Sequence, residues 1–148
     1  MKTMFLLAIA LAPAALWAQP PLCPLQNVTL NGIYVFTSSG TLVAPAPQFG
    51  GLTGSFASIA KIAFDGQGNL QVGPATLNIN GTAIIRGANL AGSYTVNGDC
   101  TGTMLFGAAS DPTAGHFDLV VTPDGKQANH VMTDKGTVLI GTLVRVNH

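Results

Sequence analysis

The chain has 148 residues, 47% of them hydrophobic and only 8% charged, with six Lys plus Arg balanced by six Asp plus Glu. That balance excludes nucleic acid as a partner, because capture of a polyanion needs a basic patch. It also excludes a basic face for anionic membranes and a disordered chain, which would be poorer in apolar residues and richer in charge.

Residues 1–18 read as a cleavable export signal. Lys2 is the only early charge, Phe5 to Ala12 is an unbroken apolar run, and Leu16-Trp17-Ala18 precede Gln19. Charged start, apolar core and small residue at the cut is the order of a signal peptide. The run is shorter than the roughly 20 residues that span a bilayer, which argues against the alternative of an uncleaved anchor helix. Leu16 is large for its place, so a cut after Ala15 is the alternative to one after Ala18. Cys23 lies too far on for a lipid anchor at the new terminus. The expected localisation is therefore secreted or periplasmic, after cleavage near Ala18, with no membrane attachment of the mature form.

Residues 19–30 form a Pro-rich arm that carries Cys23. Cys100 is the only other cysteine. In an oxidising compartment the default is a single Cys23–Cys100 disulfide. A reactive thiol is the alternative, but neither cysteine has a His or Lys beside it in sequence.

Residues 31–148 read as one β domain. The turn dipeptides Asn31-Gly32, Asp65-Gly66, Asn80-Gly81, Asn97-Gly98, Asp124-Gly125 and Lys135-Gly136 punctuate segments rich in Val, Ile, Thr, Phe and Tyr. These dipeptides suit hairpins because their residues tolerate positive φ. The spacing predicts strands over Gly32–Ser38, Ser55–Phe64, Asn69–Leu77, Thr82–Arg86, Leu90–Val96, Cys100–Gly107, Gly115–Thr122, Gln127–Thr133 and Thr137–Val146. Residues 41–53, with Pro45, Pro47 and Gly50-Gly51, form the longest loop, and residues 108–114 form a second. Short connections imply antiparallel neighbours, and many short strands must hide their edges. The fold class is all-β: an antiparallel up-and-down β-barrel of about eight strands, with one N-terminal signal helix. A β-sandwich is the alternative.

Turn geometry assigns faces. A two-residue Asp124-Gly125 turn sets Val121 opposite Ala128, Leu119 opposite His130 and Phe117 opposite Met132. A second such turn at Lys135-Gly136 sets Met132 opposite Leu139. Phe117, Leu119, Val121, His130, Met132, Leu139 and Leu143 then share the interior face, with Arg145 at its end. His116, Asp118, Thr122, Asn129, Thr133 and Thr142 lie on the other. At Asn97-Gly98-Asp99 a three-residue loop fits better, with Gly98 as its left-handed residue. Tyr94, Val96, Cys100, Met104 and Phe106 then face inward.

Four motifs carry a resemblance, in this order: Asn31-Gly32-Ile33-Tyr34-Val35-Phe36, Phe64-Asp65-Gly66-Gln67-Gly68-Asn69, Gly92-Ser93-Tyr94-Thr95-Val96-Asn97-Gly98-Asp99-Cys100-Thr101-Gly102-Thr103 and Thr133-Asp134-Lys135-Gly136-Thr137. The chain resembles exported bacterial proteins of uncharacterised function that are similar to allene oxide cyclase-like barrel proteins. The resemblance covers most of residues 29–146 and implies an eight-stranded barrel with an internal cavity. Its motifs are turns and strand starts, so it does not carry cyclase activity over. Plant cyclases of that fold use an acidic residue in the cavity, and no such acid can be placed here, since every acidic residue of the chain is Asp. One fold hosts many functions.

Chemistry-bearing residues are sparse. His116 and Asp118 share a strand face, but the outward one, which suits a solvated pair. No Ser or Thr stands in a nucleophile-elbow pattern. His130, among Phe117, Leu119 and Met132, is the one catalytic candidate, either as an acid–base or ligand-orienting group with Tyr34 or Tyr94 as helpers, or as a structural histidine. Arg145 suits a carboxylate or a rim ion pair with an Asp. No metal is expected: His116 and His130 fall on opposite faces, and His148 ends the chain. The loop Asp65-Gly66-Gln67-Gly68-Asn69 lacks the repeated carboxylates of a calcium loop. No cofactor is expected. Tyr34, Phe36, Tyr94, Met104, Phe117, His130 and Met132 are the candidates for a ligand cavity, with Phe106 beside them, unless they simply fill the core. Three functions follow: a non-enzymatic barrel, structural or binding a small apolar ligand; an isomerase or cyclase related to allene oxide cyclase-like enzymes; and a self-associating surface protein.

Overall fold

In the computed structural model, residues 21–87 and 89–146 are described. The signal segment 1–18 with its cut near Ala18, and His148, lie outside the described residues. Nine strands follow one another: β1 (Asn31–Leu42), β2 (Gly54–Asp65), β3 (Asn69–Ile79), β4 (Thr82–Arg86), β5 (Leu90–Val96), β6 (Thr101–Phe106), β7 (Gly115–Val121), β8 (Gln127–Met132) and β9 (Thr137–Arg145). Two short 3₁₀ turns, Gln26–Thr29 and Pro47–Phe49, are the only helical elements among the described residues. β1 runs beyond the expected Ser38 to Leu42 because Gly40 does not turn the chain. A Cβ there would overlap the Val138 carbonyl of β9, so Gly40 lets two strands approach closely instead.

The strands are hydrogen-bonded in the order β2-β1-β9-β8-β7-β6-β5-β3, and β2 also pairs with β3, which closes the ring. The architecture is thus a closed eight-stranded antiparallel barrel, and β4 is an extra strand attached to β3. Closure leaves no free edge on the ring. The expected sandwich alternative does not occur.

β3 explains why β4 stands outside. Its first part, Asn69–Val72, pairs with β5, and its last part, Thr76–Ile79, pairs with β4. Between them lie Gly73 and Pro74, where the β2–β3 register also slips, between Ala60 and Ile62. Proline has no N–H to donate to a ladder and is tolerated in sheets at such bulges. β3 therefore leaves β5 at Pro74, and the barrel opens at that end.

The hairpin registers match the turn arguments. Phe117 lies opposite Met132, Leu119 opposite His130, and Val121 opposite Ala128. Val131 lies opposite Ile140, one step before Met132 and Leu139. The Asp124-Gly125 connection spans Pro123–Lys126, with Thr122 and Gln127 bonded across it. The β5–β6 hairpin has a three-residue loop, but it is Gly98–Cys100 rather than the expected Asn97–Asp99, since the Asn97 N–H donates to Thr101 O at 2.7 Å and Val96 lies opposite Gly102. Its left-handed residue is Cys100, φ 68°, and not Gly98. In a type I turn plus bulge the third loop residue takes that conformation.

One barrel end is filled. Tyr34, Ile62, Phe64, Leu70, Tyr94, Val96 and Leu143 are buried there, and the N-terminal arm plugs it with Cys23 and Leu30, both fully buried. The Cys23–Cys100 disulfide joins the arm to the β5–β6 turn, with Cα atoms 5.1 Å apart. The Cys23 N–H donates to Gly98 O at 2.9 Å. The Tyr94 hydroxyl contacts Leu30 O at 2.7 Å and Asn27 O at 2.9 Å, and the Tyr34 hydroxyl donates to Gly125 O. Burial pushes the Tyr94 hydroxyl pKa up to about 12, so it remains a donor. Tyr94→Phe removes the hydroxyl that meets Leu30 O, while Asn27 O keeps the Leu30 N–H at 3.1 Å, and is expected to cost about 1–3 kcal/mol in urea unfolding. An unchanged midpoint would mean that the disulfide alone seats the arm.

Candidate functional site

The opposite end is not filled. An apolar cavity of about 170 Å³ lies there, between the splayed part of β3 with β4 on one side and β5–β6 on the other. Inward positions of the strands supply its wall: Phe36 of β1, Phe56 and Ala60 of β2, Val72 and Leu77 of β3, Phe106 of β6, Phe117 of β7, Met132 of β8 and Leu139 of β9. Ile85 and Leu90 flank it from β4 and the start of β5. These two are 40% and 42% exposed, so the mouth itself is apolar. The roof comes from the loop after β1. Its 3₁₀ turn directs Gln48 and Phe49 to the cavity, and Phe49 packs on Phe56 with ring centroids 5.0 Å apart. Thr113 reaches in from the second loop.

The rings form two separate groups. Tyr34, Phe64 and Tyr94 meet edge-to-face at the plugged end, with centroids 5.2 and 4.9 Å apart. Phe36, Phe106 and Phe117 meet at the open end, at 4.9 to 6.0 Å. The segregation has a physical logic. Each tyrosine hydroxyl needs a partner when buried, and the arm and the β7–β8 turn supply carbonyls only at the plugged end. Phenylalanines make no such demand and can border an empty space.

Of the seven residues expected at a cavity, the structure therefore brings together Phe36, Phe117 and Met132. Tyr34, Tyr94 and Met104 lie in the filled interior and do not line it. Neither does His130. Its ring lies parallel to Phe36 at 4.5 Å and edge-on to Phe117 at 5.4 Å. Its Nε2 sits 3.0 Å from Thr37 O. A carbonyl only accepts, so Nε2 carries the proton and Nδ1 is the bare nitrogen. Nδ1 is buried without a partner among the described residues. Gly141, opposite His130 on β9, makes the room: a Cβ there would lie 2.6 Å from Nε2.

Burial lowers the His130 pKa below its ordinary 6.5, and the Thr37 bond opposes the shift only in part. The neutral ring is the folded form, so the unfolded chain binds the extra proton first. Stability from this group is complete above pH 6.5 and falls as pH drops toward the depressed folded value. The expected result is a loss of urea stability on acidification below about pH 6.5 that a His130→Gln variant no longer shows. An identical pH slope in the two proteins would refute this role.

The remaining polar candidates stand apart from the cavity. His116 is on the outer face, as expected, but its partner is Asp134, with Nδ1 2.8 Å from Oδ1, and not Asp118. Asp134 also accepts the His116 N–H. Arg145 is exposed at the plugged end, opposite Tyr34, and forms no rim ion pair with an Asp among the described residues. Asp65 spends its carboxylate on the Gln67 and Asn69 backbone and the Asn69 amide. Those bonds hold its pKa below the usual carboxylate range and make the loop a hairpin turn. Gln48 and Phe49 were not anticipated. The available signal was a large aromatic in a Pro/Gly-rich loop, which only docking back onto the barrel can bury.

No protein-family model, curated protein or solved structure matches the chain.

Proposed function

We propose that the protein is an exported barrel that binds one small apolar molecule at its open end without transforming it. The supporting observation is the cavity: about 170 Å³, walled by phenylalanine, leucine and methionine, with no ionisable side chain in its lining among the described residues. Drug-sized ligands occupy about 300–1,000 Å³. A cavity of about 150 Å³ with such a lining holds benzene. The occupant is accordingly a single ring or a short alkyl group.

An isomerase or cyclase reading has less support. Confinement alone accelerates little without an acid or base at the reacting atom, and His130 is off the cavity wall. A relation to allene oxide cyclase-like barrels fits the closed ring and would lend fold rather than chemistry. Export with cleavage near Ala18 belongs to the same proposal. The disulfide is compatible with a periplasmic or extracellular place, and among the described residues no helix is long and apolar enough to cross a membrane. The outward face mixes exposed Lys61, Gln71, His116, Asp118 and Asn129 with exposed Ile59, Val120, Val131, Ile140 and Val144, so its apolar positions are interrupted by polar and charged ones, unlike the continuous apolar outer band of a membrane barrel.

Toluene titrated into the protein is the direct test. The Met132 methyl resonance should shift and saturate, and Ala75→Leu, which fills the cavity, should abolish the shift. No saturable change up to the solubility of toluene would defeat the proposal.

A further inference from the structure

Three neighbouring strands of the ring present an outer wall without charge. β1, β9 and β8 lie side by side, flanked by β2 and β7. Every residue that points outward from the three is Val, Ile, Thr, Ser, Asn or Gln. Val35, Val131, Val138, Ile140 and Val144 are 37% to 64% exposed there, Ile140 the most. Ile140 lies opposite Val131 on one side and Ser39 on the other, and Val144 lies opposite Val35. Opposite side chains on one sheet face stand about 4.5–5.5 Å apart, so these residues share one surface. Thr37 and Thr142, between them, bond hydroxyl to hydroxyl at 3.0 Å, which meets part of their polar demand within the wall. Strand propensity accounts for the branched side chains. It does not account for the missing charge, since solvated walls ordinarily carry Lys, Arg, Asp and Glu.

Charge returns on the flanks, with opposite signs. Lys61 of β2 lies opposite Val35, and Asp118 of β7 lies opposite Val131. β9 is midway between these two strands. Two copies set face to face about a two-fold axis along β9 place the β2 flank of each over the β7 flank of the other. Neutral strip then covers neutral strip, and unlike charges meet at both margins. An axis across the strands would instead bring like charges together. From strand spacing and rise, the strip measures about 20 Å by 20 Å. Contacts of that size belong to weak, reversible pairs that bury less than about 1,200 Å² in total.

We infer that the protein forms a reversible two-fold homodimer through the outer wall of β1, β9 and β8, with Lys61 of each copy on the Asp118 flank of the other. This goes beyond the ligand-binding proposal and does not depend on it. The cavity is inside the barrel and the wall is outside, so either can fail alone.

The test is sedimentation of the exported, disulfide-bonded protein over a concentration series up to about 1 mM. A monomer–dimer equilibrium is expected. Ile140→Lys should be monomeric throughout, because the two-fold sets the new charges against each other. Lys61→Asp should weaken the dimer about tenfold, and Lys61→Asp/Asp118→Lys should restore it. A monomer at every concentration overturns the inference. So does a dimer that Ile140→Lys leaves intact, that Lys61→Asp does not weaken, or that the double exchange does not restore. A monomer that floats with phosphatidylcholine vesicles, while Ile140→Lys stays behind, also overturns it and assigns the wall to a neutral lipid surface. Should Ile140→Lys not fold, methyl resonances of the unsubstituted protein decide: shifts with concentration at Val131, Val138 and Ile140 support the dimer, and their absence overturns it.

Discussion

Removing the Cys23–Cys100 bond is expected to cost about 2–5 kcal/mol of folding free energy. The bond joins residues 77 apart in sequence. Without it the unfolded chain regains the freedom of that loop, which the chain-entropy model values at about 4–5 kcal/mol as an upper figure. The native side adds to this. Cys23 is fully buried in the plug, and Leu30 and the carbonyls that meet Tyr94 belong to the same arm. An untethered arm would expose the Tyr34–Phe64–Tyr94 cluster. Urea unfolding of the oxidised protein against Cys23→Ser/Cys100→Ser checks this. A difference below about 1 kcal/mol would show that the arm is held by packing and hydrogen bonds alone. The cavity is at the other end of the barrel, so toluene binding should persist in whatever fraction of the variant stays folded.

Gly141→Val should be comparably damaging, by about 3–5 kcal/mol. The backbone conformation at Gly141 is ordinary, so strain in φ is not the cause. Space is. A Cβ would overlap the Thr37 carbonyl of β1 and lie 2.6 Å from His130 Nε2. The first obstacle is backbone, held in the β1–β9 ladder, where Ser38 lies opposite Gly141. It cannot rotate away as a side chain would. Displacing the imidazole would break the only hydrogen bond its ring makes among the described residues and leave both its nitrogens buried and unpaired. Gly73→Ala is the control. A Cβ there meets Lys61 O at 3.4 Å, an ordinary contact, and stability should stay within about 1 kcal/mol. A Gly141 variant as stable as that control would mean that β1 and β9 can separate at little cost.

His130 shows how far sequence reasoning reaches and where it stops. Its inward direction followed from counting across the Asp124-Gly125 turn, because side chains alternate with a period of two and the turn sets the register. Its distance from the cavity did not follow. That depends on Phe36 of β1, which is far away in sequence and stacks on the ring only after β9 has paired with both β8 and β1. Tyr34 and Phe36 make the same point. Both face inward on β1, two residues apart. One meets the Gly125 carbonyl of the β7–β8 turn, and the other borders a void.

Most strand positions, the inward faces and the disulfide pairing were legible in the sequence alone, whereas the extension of β1 to Leu42 and the place of Cys100 in the turn were not. Turn dipeptides and period-two alternation are local signals, and two cysteines permit one intramolecular pairing. The tertiary structure alone decided that one end is plugged and the other open, that Pro74 detaches β3 from β5 and leaves β4 outside the ring, and that Gln48 and Phe49 roof the cavity. These depend on ring closure and on contacts between distant segments, where a bulge or a docking loop counts for more than local pattern. The Pro-rich arm belongs to both. Cys23 marked it as tethered, and only the closed barrel made it a plug.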